Sequence, residues 1–318
     1  MKMNRIQFQA GMSLTQFLAH YGTEAQCEAI VEKSRWPSGF VCPRCTAQQP
    51  TISRRNRVKV FQCRSCRTQT TLTEGTIFHS TKLPLTKWFQ AMYFLSQTKN
   101  NVSILELRRL VGLSYPAVWR MKHKLMQVMY ERESTTRLCD RVEVDDAYLG
   151  GEFPGGKAGR GSENKVPFIA AVQTNDQHHP QYIVFSKVKA FSSAEVKAWA
   201  GRSLVPAMTV VSDGLQCFRS VTDVGHIHQR EVVGSNRKST DMECFSWVNT
   251  ILGNLKNAIS GTYHAFDFEK YAHRYLGEFQ YRFNRRFDLS TLLPRMLVAA
   301  VNTGKRPERW LRLAEDQC

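Results

Sequence analysis

The sequence predicts a three-part chain: a small module built around a metal, a basic helical segment, and an α/β domain with helices flanking a mixed sheet. Three observations predict it. Two Cys-x-x-Cys turns stand 17 residues apart in "CPRCTAQQPTISRRNRVKVFQCRSC", a spacing whose natural product is one tetrahedral Zn2+ held by four thiolates. Between residues 83 and 130 apolar side chains recur at helical intervals. From residue 141 onward the order reads strand, strand, strand, helix, strand, helix, which gives a layered α/β architecture.

The length of 318 residues suits two or three domains. The net charge of +17 points to a polyanionic partner or an anionic membrane surface. It is uneven: the first 90 residues hold 13 Lys/Arg against 4 Asp/Glu. A basic module at one end has the form of a nucleic-acid footprint, though a solvated basic surface has the same composition. No apolar run is long enough to span a bilayer, and the N-terminus lacks a signal-peptide core. Nine cysteines, five of them scattered, make a poor disulfide framework. The expected location is the cytoplasm.

The N-terminal segment, residues 1–82, carries the metal site at Cys42, Cys45, Cys63 and Cys66. Four such ligands close the coordination sphere, so the expected role is structural; two separate redox motifs are the alternative. The connector bears Arg54, Arg55 and Arg57, and the alternation in "RVKVFQC" predicts a strand. Metal binding would hold this basic hairpin outward for phosphate contacts.

Residues 83–131 follow as a helical region. "LPLTKWFQAMYFLSQTKNN" has helical apolar spacing, and "SILELRRLVGLSYPAVWRMKHKLMQVMY" reads as two helices joined at "GLSYP". The pair matches a helix-turn-helix whose second helix presents Arg120, Lys122 and Lys124 to a DNA groove. A plain basic helical hairpin fits equally.

The core is expected over residues 138–290, followed by a helical tail over 291–318. Strands fall at 141–151, 166–174, 181–188 and 207–214; helices fall at 192–204, 240–260 and 268–287. Between the first two strands, "GGEFPGGKAGRG" holds six glycines and fits no phosphate-loop pattern. It reads as a hairpin loop that either carries Lys157 and Arg160 to a DNA backbone or is simply mobile. On the last helix Arg282 and Arg285 stand four and seven residues after Glu278, as a phosphate clamp or a salt-bridged face.

Asp145 lies in an otherwise apolar strand and Asp213 ends another. Acids so placed are costly unless paired or bound to a cation. Together they could hold Mg2+, which favours oxygen ligands and phosphate. Asp213 before Gly214 also fits a turn-capping role. Strand alternation places Asp146 on the opposite face from Asp145. Asn249 and Lys256, two helical turns apart, share a face.

The stretches "RWPSGFVCPRC", "GTIFHSTKLPLTKWFQAMYFLSQTKN", "VEVDDAYLGGE", "VVSDG", "WVNTILGNLKNAISGTYHAF" and "EFQYRFNRR" resemble the bacterial insertion-sequence transposases that join a zinc ribbon to a DDE-type domain, the ISXO-like group. The resemblance runs from about residue 35 to residue 286. It implies a ribonuclease-H-like core that cleaves DNA ends and joins their 3′-hydroxyls to target DNA, with Asp145 and Asp213 as the catalytic acids on Mg2+, for which Mn2+ would substitute. It implies Asn249 and Lys256 in the place where many such enzymes carry a glutamate, Glu243 being the competing candidate. The group reads Asp-Glu after "VEV"; Asp146 stands here instead. Expected partners are double-stranded DNA and a second copy of the chain or a larger assembly, at the nucleoid and without a membrane. A regulator that has lost the chemistry, and a nuclease without strand transfer, are the other two functional classes.

Overall fold

The computed structural model describes residues 9–56, 58–150, 165–231, 243–263 and 266–314. The chain divides into two compact units, one of residues 1–128 with 287–312 and one of residues 129–286 with 313–318.

The first unit opens with two short helices, α1 (Leu14–Tyr21) and α2 (Glu24–Arg35). Each is started by a capping box: Ser13 and Thr23 accept from the third helical amide, and Gln16 and Gln26 reach back to the cap. A three-stranded antiparallel sheet follows, β1 (Pro50–Arg55), β2 (Val58–Cys63) and β3 (Gln69–Thr71), in the order β1-β2-β3. Arg35 ties α2 to this ribbon by donating to the carbonyls of Thr71 (2.8 Å) and Leu72 (2.7 Å). Helices α3 (Leu85–Gln97) and α4 (Ile104–Val111) come next, and α5 (Tyr115–Glu133) begins in this unit. The turn from α4 to α5 passes through Gly112 at φ +68°, a left-handed cap that suits glycine. The C-terminal α9 (Leu292–Asn302) packs on α2 and α3, so the expected tail is part of this unit's core.

The second unit is a five-stranded sheet: β4 (Arg141–Leu149), β5 (Val166–Thr174), β6 (Pro180–Lys187), β7 (Thr209–Ser212) and β8 (Ile227–Arg230). The order is β6-β5-β4-β7-β8. β4, β5 and β6 form an antiparallel meander, and β4, β7 and β8 run parallel. This is the ribonuclease-H-like arrangement. A crossover through α6 (Ser193–Ser203) carries the chain from β6 to β7 beside β4. β6 and β7 run parallel with β5 and β4 between them, so the connection has to cross a face of the sheet and cannot be a tight turn.

Alternation along β4 divides the core. Val142 and Val144 join Ile169, Val184, Trp199 and Phe218 on the α6 face. Ala147 and Leu149 join the opposite cluster, where α7 (Ser246–Thr262) packs through Val248, Ile251 and Leu255, and α8 (Phe268–Phe283) through Ala272 and Leu276. Within this unit Gly277 of α8 lies against the last turns of α5: a Cβ there would stand 2.8 Å from Tyr130 Cα. Only a hydrogen fits at that distance.

Candidate active site

The parallel register sets Val144 of β4 beside Ser212 of β7. One step onward, where the β4–β7 pairing stops while β4 continues beside β5, stand Asp145 and Asp213, on the face that α7 covers. Carboxylate oxygens of Asp145, Asp146 and Asp213 all lie within 4.8 Å of one another. Asp145 accepts the amide of Asp146 (2.9 Å), and Asp213 accepts that of Leu215 (3.0 Å). The turn-capping reading of Asp213 is thus correct for one of its oxygens and does not remove it from the cluster.

Asp146 departs from expectation. Strand alternation sets its Cα–Cβ bond to the other face, yet its oxygen joins the group. All three acids are half-buried, and the β4–β7 pairing stops at Val144, so a carboxyl there can swing past the β7-facing edge of β4. Oxygen ligands of a single Mg2+ stand roughly 3–4 Å apart. The three acids match that donor chemistry.

Glu143 was not singled out in the sequence. It is 1% exposed, one pleat before Asp145 on the same face. Its Oε2 accepts the backbone amides of Trp247 (3.1 Å) and Val248 (3.0 Å), and its Oε1 accepts from Arg141 Nη1 (3.1 Å). Burial raises the Glu143 pKa above the ordinary carboxylate value, opposed by the Val248 amide and Arg141. A charged residue at an inward-facing position of an apolar strand was the signal available.

Asn249 and Lys256 both lie on α7, the helix across the face that carries Asp145. Asn249 is half-buried and its Nδ2 donates to Phe245 O (3.0 Å); Lys256 is exposed. Glu243 opens a short 3-10 turn, Glu243–Phe245, ahead of that helix. Arg230, also unanticipated, ends β8 with its Nη2 donating to Gly214 O (3.1 Å), next to Asp213.

In the ribbon, Cys42 Sγ lies 3.6 Å from Cys66 Sγ, and Cys45 Sγ lies 3.5 Å from Cys63 Sγ. Sulfur ligands at ~2.3 Å from a tetrahedral Zn2+ are about 3.7 Å apart, so the four thiols fit the ion. Cys66 is held down to about 6 by the Thr68 hydroxyl and amide, towards the thiolate that a metal requires.

The basic residues expected on DNA are mostly engaged elsewhere. Lys122 is fully buried and donates to Val102 O. Lys124 donates to Ile77 O (2.9 Å), and burial lowers its pKa. Arg120 is exposed but paired with Glu308 (3.0 Å). The reason is that α5 is a core helix from Val118 to Met129, with Arg120 the one exposed residue in that stretch. Arg282 pairs with Glu278, and Arg285 pairs with Glu133 while stacking on Tyr281 (3.7 Å). The clamp expected there is a set of internal ties. Arg54 is half-exposed and bridges to Glu28. Arg55 is exposed, as are Arg44, Arg64 and Arg67 around the cysteine turns. Arg57, Lys157 and Arg160 lie outside the described residues. Among the described residues no helix is long and apolar enough to cross a membrane.

A cysteine-built ribbon thus precedes a ribonuclease-H-like sheet in which acids of two parallel neighbouring strands, β4 and β7, are gathered. Residues 137–284 match the ISXO2-like transposase domain, and residues 22–69 match the transposase zinc-ribbon domain. A protein of Halobacterium salinarum described as an uncharacterized protein in transposable element ISH50 is 24% identical over 214 residues, 62% of this chain and 69% of that one. A solved structure, the Mos1 transposase paired-end complex with left transposon end, is similar over 67% of this chain and 78% of that chain, at 12% identity and a TM-score of 0.19.

Proposed function

We propose that this transposase cleaves phosphodiester bonds at the ends of its own element and joins the freed 3′-hydroxyls to target DNA. The observation that carries the reading is the gathering of carboxylate oxygens of Asp145, Asp146 and Asp213 within 4.8 Å where β7 ends beside β4. Three half-buried acids repel one another, and a site that keeps them together is suited to cations. Bound Mg2+ or Mn2+ would neutralise the phosphate and activate water or a 3′-hydroxyl for in-line attack.

The chain's residues then have distinct tasks. Asp145 and Asp213 hold the metals; Asp146 adds a third carboxylate from the same strand. Asn249 offers a neutral amide oxygen where a further carboxylate would overload the site with negative charge. Lys256, exposed on the same flank of α7, is placed to bind a phosphate. The arginines exposed around the cysteine turns and Arg55 contact the DNA backbone, while Cys42, Cys45, Cys63 and Cys66 hold zinc and fix their geometry. Two ends must be handled together, so the working form is a dimer or larger assembly on DNA.

The test is incubation of purified protein with element-end duplexes, a supercoiled target plasmid and Mg2+, with products mapped. Joined end–plasmid products support the proposal. Cleavage of uncut ends with no joining of pre-cut ends marks a nuclease. Binding with neither reaction marks a regulator.

A further inference from the structure

We infer that Glu143, braced by Arg141, is a positioning residue that sets the α7 helix, and with it Asn249, against the strand that carries Asp145. The inference rests on the proposed metal-bearing site and adds a residue to it.

The observation is a helix start capped from a distance. Helix α7 needs partners for its first amides. Its own N-cap residue, Phe245, supplies no side-chain bond. Glu143 supplies two, to the amides of Trp247 and Val248, from more than 100 residues away in sequence. These are the amides that a local Ser or Asp cap would satisfy. Arg141 completes the tie. Its Nη1 donates to Glu143 Oε1 (3.1 Å) and to Thr174 Oγ1 (3.3 Å), and its Nη2 donates to Cys244 O (3.3 Å), just ahead of the helix. One side chain therefore holds helix amides and the other a preceding carbonyl.

A local cap would stabilise the helix without fixing where it lies. A cap donated by the strand does both. Residues 141, 143 and 145 alternate onto one face of β4, so clamp and acid share one stretch of extended backbone. Asn249 directly follows Val248, whose amide is held. Turning α7 about its axis, or sliding it along β4, would move Asn249 relative to Asp145 and break both Glu143 bonds. Glu143 is too deeply buried to reach DNA or solvent, so it acts through the helix. Partners behind the ligands of a metal site commonly change affinity about 10–100-fold when removed.

The experiment uses the zinc-loaded full chain and Mn2+ as probe, followed by electron paramagnetic resonance titration. Four proteins are compared: wild type, Glu143→Gln, Asn249→Ala and the double variant, with Asp145→Ala as the blank for this site. Glu143→Gln preserves shape while replacing a carboxylate by an amide that cannot satisfy all three donors. Far-UV circular dichroism melts select a temperature at which all are folded. The expected result is that each single variant raises the Mn2+ dissociation constant about tenfold and that the double variant is no weaker than Asn249→Ala alone. Coupling of this kind is what a residue acting through Asn249 produces. A lower melting temperature with unchanged Mn2+ affinity in Glu143→Gln overturns the inference and leaves the metal site standing. Multiplying effects in the double variant overturn it also. A wild type that binds no more Mn2+ than Asp145→Ala overturns the metal site itself, and the clamp with it.

Discussion

The two sites suited to metals contrast in how they are made. The ribbon gathers four cysteines from 25 consecutive residues, two tight turns at either end of one hairpin, and thiols surround the centre. The sheet domain gathers acids from β4 and β7, 68 positions apart between Asp145 and Asp213, and leaves one side of the cluster open. A closed thiolate site holds a fold together; an open carboxylate site admits a substrate phosphate. The same difference governs what each site needs around it. Short-range turns place the cysteines, whereas the acids depend on strand register and on Glu143 tying α7 to β4.

The largest effect should fall on the ribbon. Zinc binding in small modules is worth ~10–16 kcal/mol and is folding energy. Stripping zinc with a chelator, or Cys63→Ser, should unfold the 22–69 module and weaken DNA binding by at least ~100-fold, an effect beyond one lost phosphate contact. The sheet domain should keep its thermal transition. Limited proteolysis with mass mapping reads both at once; loss of the sheet domain on chelation would erase the contrast drawn here.

A smaller effect, of about 1–3 kcal/mol, should come from Gly277→Ala, because the added methyl meets Tyr130 Cα at 2.8 Å and α8 must shift. Differential scanning calorimetry should show a lowered transition for the sheet domain alone. An unchanged transition would mean that this contact tolerates movement.

His273 sharpens the comparison by pH. Burial lowers its pKa to about 3, with Arg274 and Lys187 adding to the shift. The folded sheet domain therefore stays unprotonated at His273 where the unfolded chain takes up a proton. Stability supplied by this difference is complete above pH ~6.5 and declines as pH falls from there towards about 3. His273→Phe should flatten the fall in melting temperature across that window; an unchanged slope would assign it to other groups.

The smallest effect concerns single arginines. Arg55→Ala should reduce the salt dependence of DNA binding by about one counterion. Lys122→Met should leave the salt slope unchanged, since its ammonium is spent on Val102 O. Equal slopes for the two variants would overturn this division between exposed and buried cations.

Much of this was legible in the sequence where the determinants are local or periodic. The cysteine spacing gave the ribbon, and the strand–helix order gave the layered core. Asp145 and Asp213 stood out as acids in apolar strands. On α5 the cations Arg120, Lys122 and Lys124 fitted a groove-facing helix and a plain hairpin equally, and Lys122 is enclosed by packing that no local pattern records. For Arg282 and Arg285 the sequence left a phosphate clamp and a salt-bridged face open, and the pairs to Glu278 and Glu133 within the sheet domain are of the second kind. Alternation alone mispositioned Asp146, which lies in mid-strand where the pairing of β4 with β7 has stopped and whose carboxylate still joins Asp145 and Asp213. The Glu143 tie joins residues 104 and 105 apart in sequence and carries no motif.

The central claim is that the acids of β4 and β7 perform the chemistry while the ribbon and its arginines perform binding. The most direct measurement is strand cleavage at an element end by wild type, Asp145→Ala and Asp213→Ala at matched DNA occupancy. The account predicts undiminished end binding in both variants, with cleavage lost by at least ~1,000-fold, equivalent to about 4 kcal/mol of transition-state stabilisation. Cleavage at the wild-type rate by either variant would contradict it.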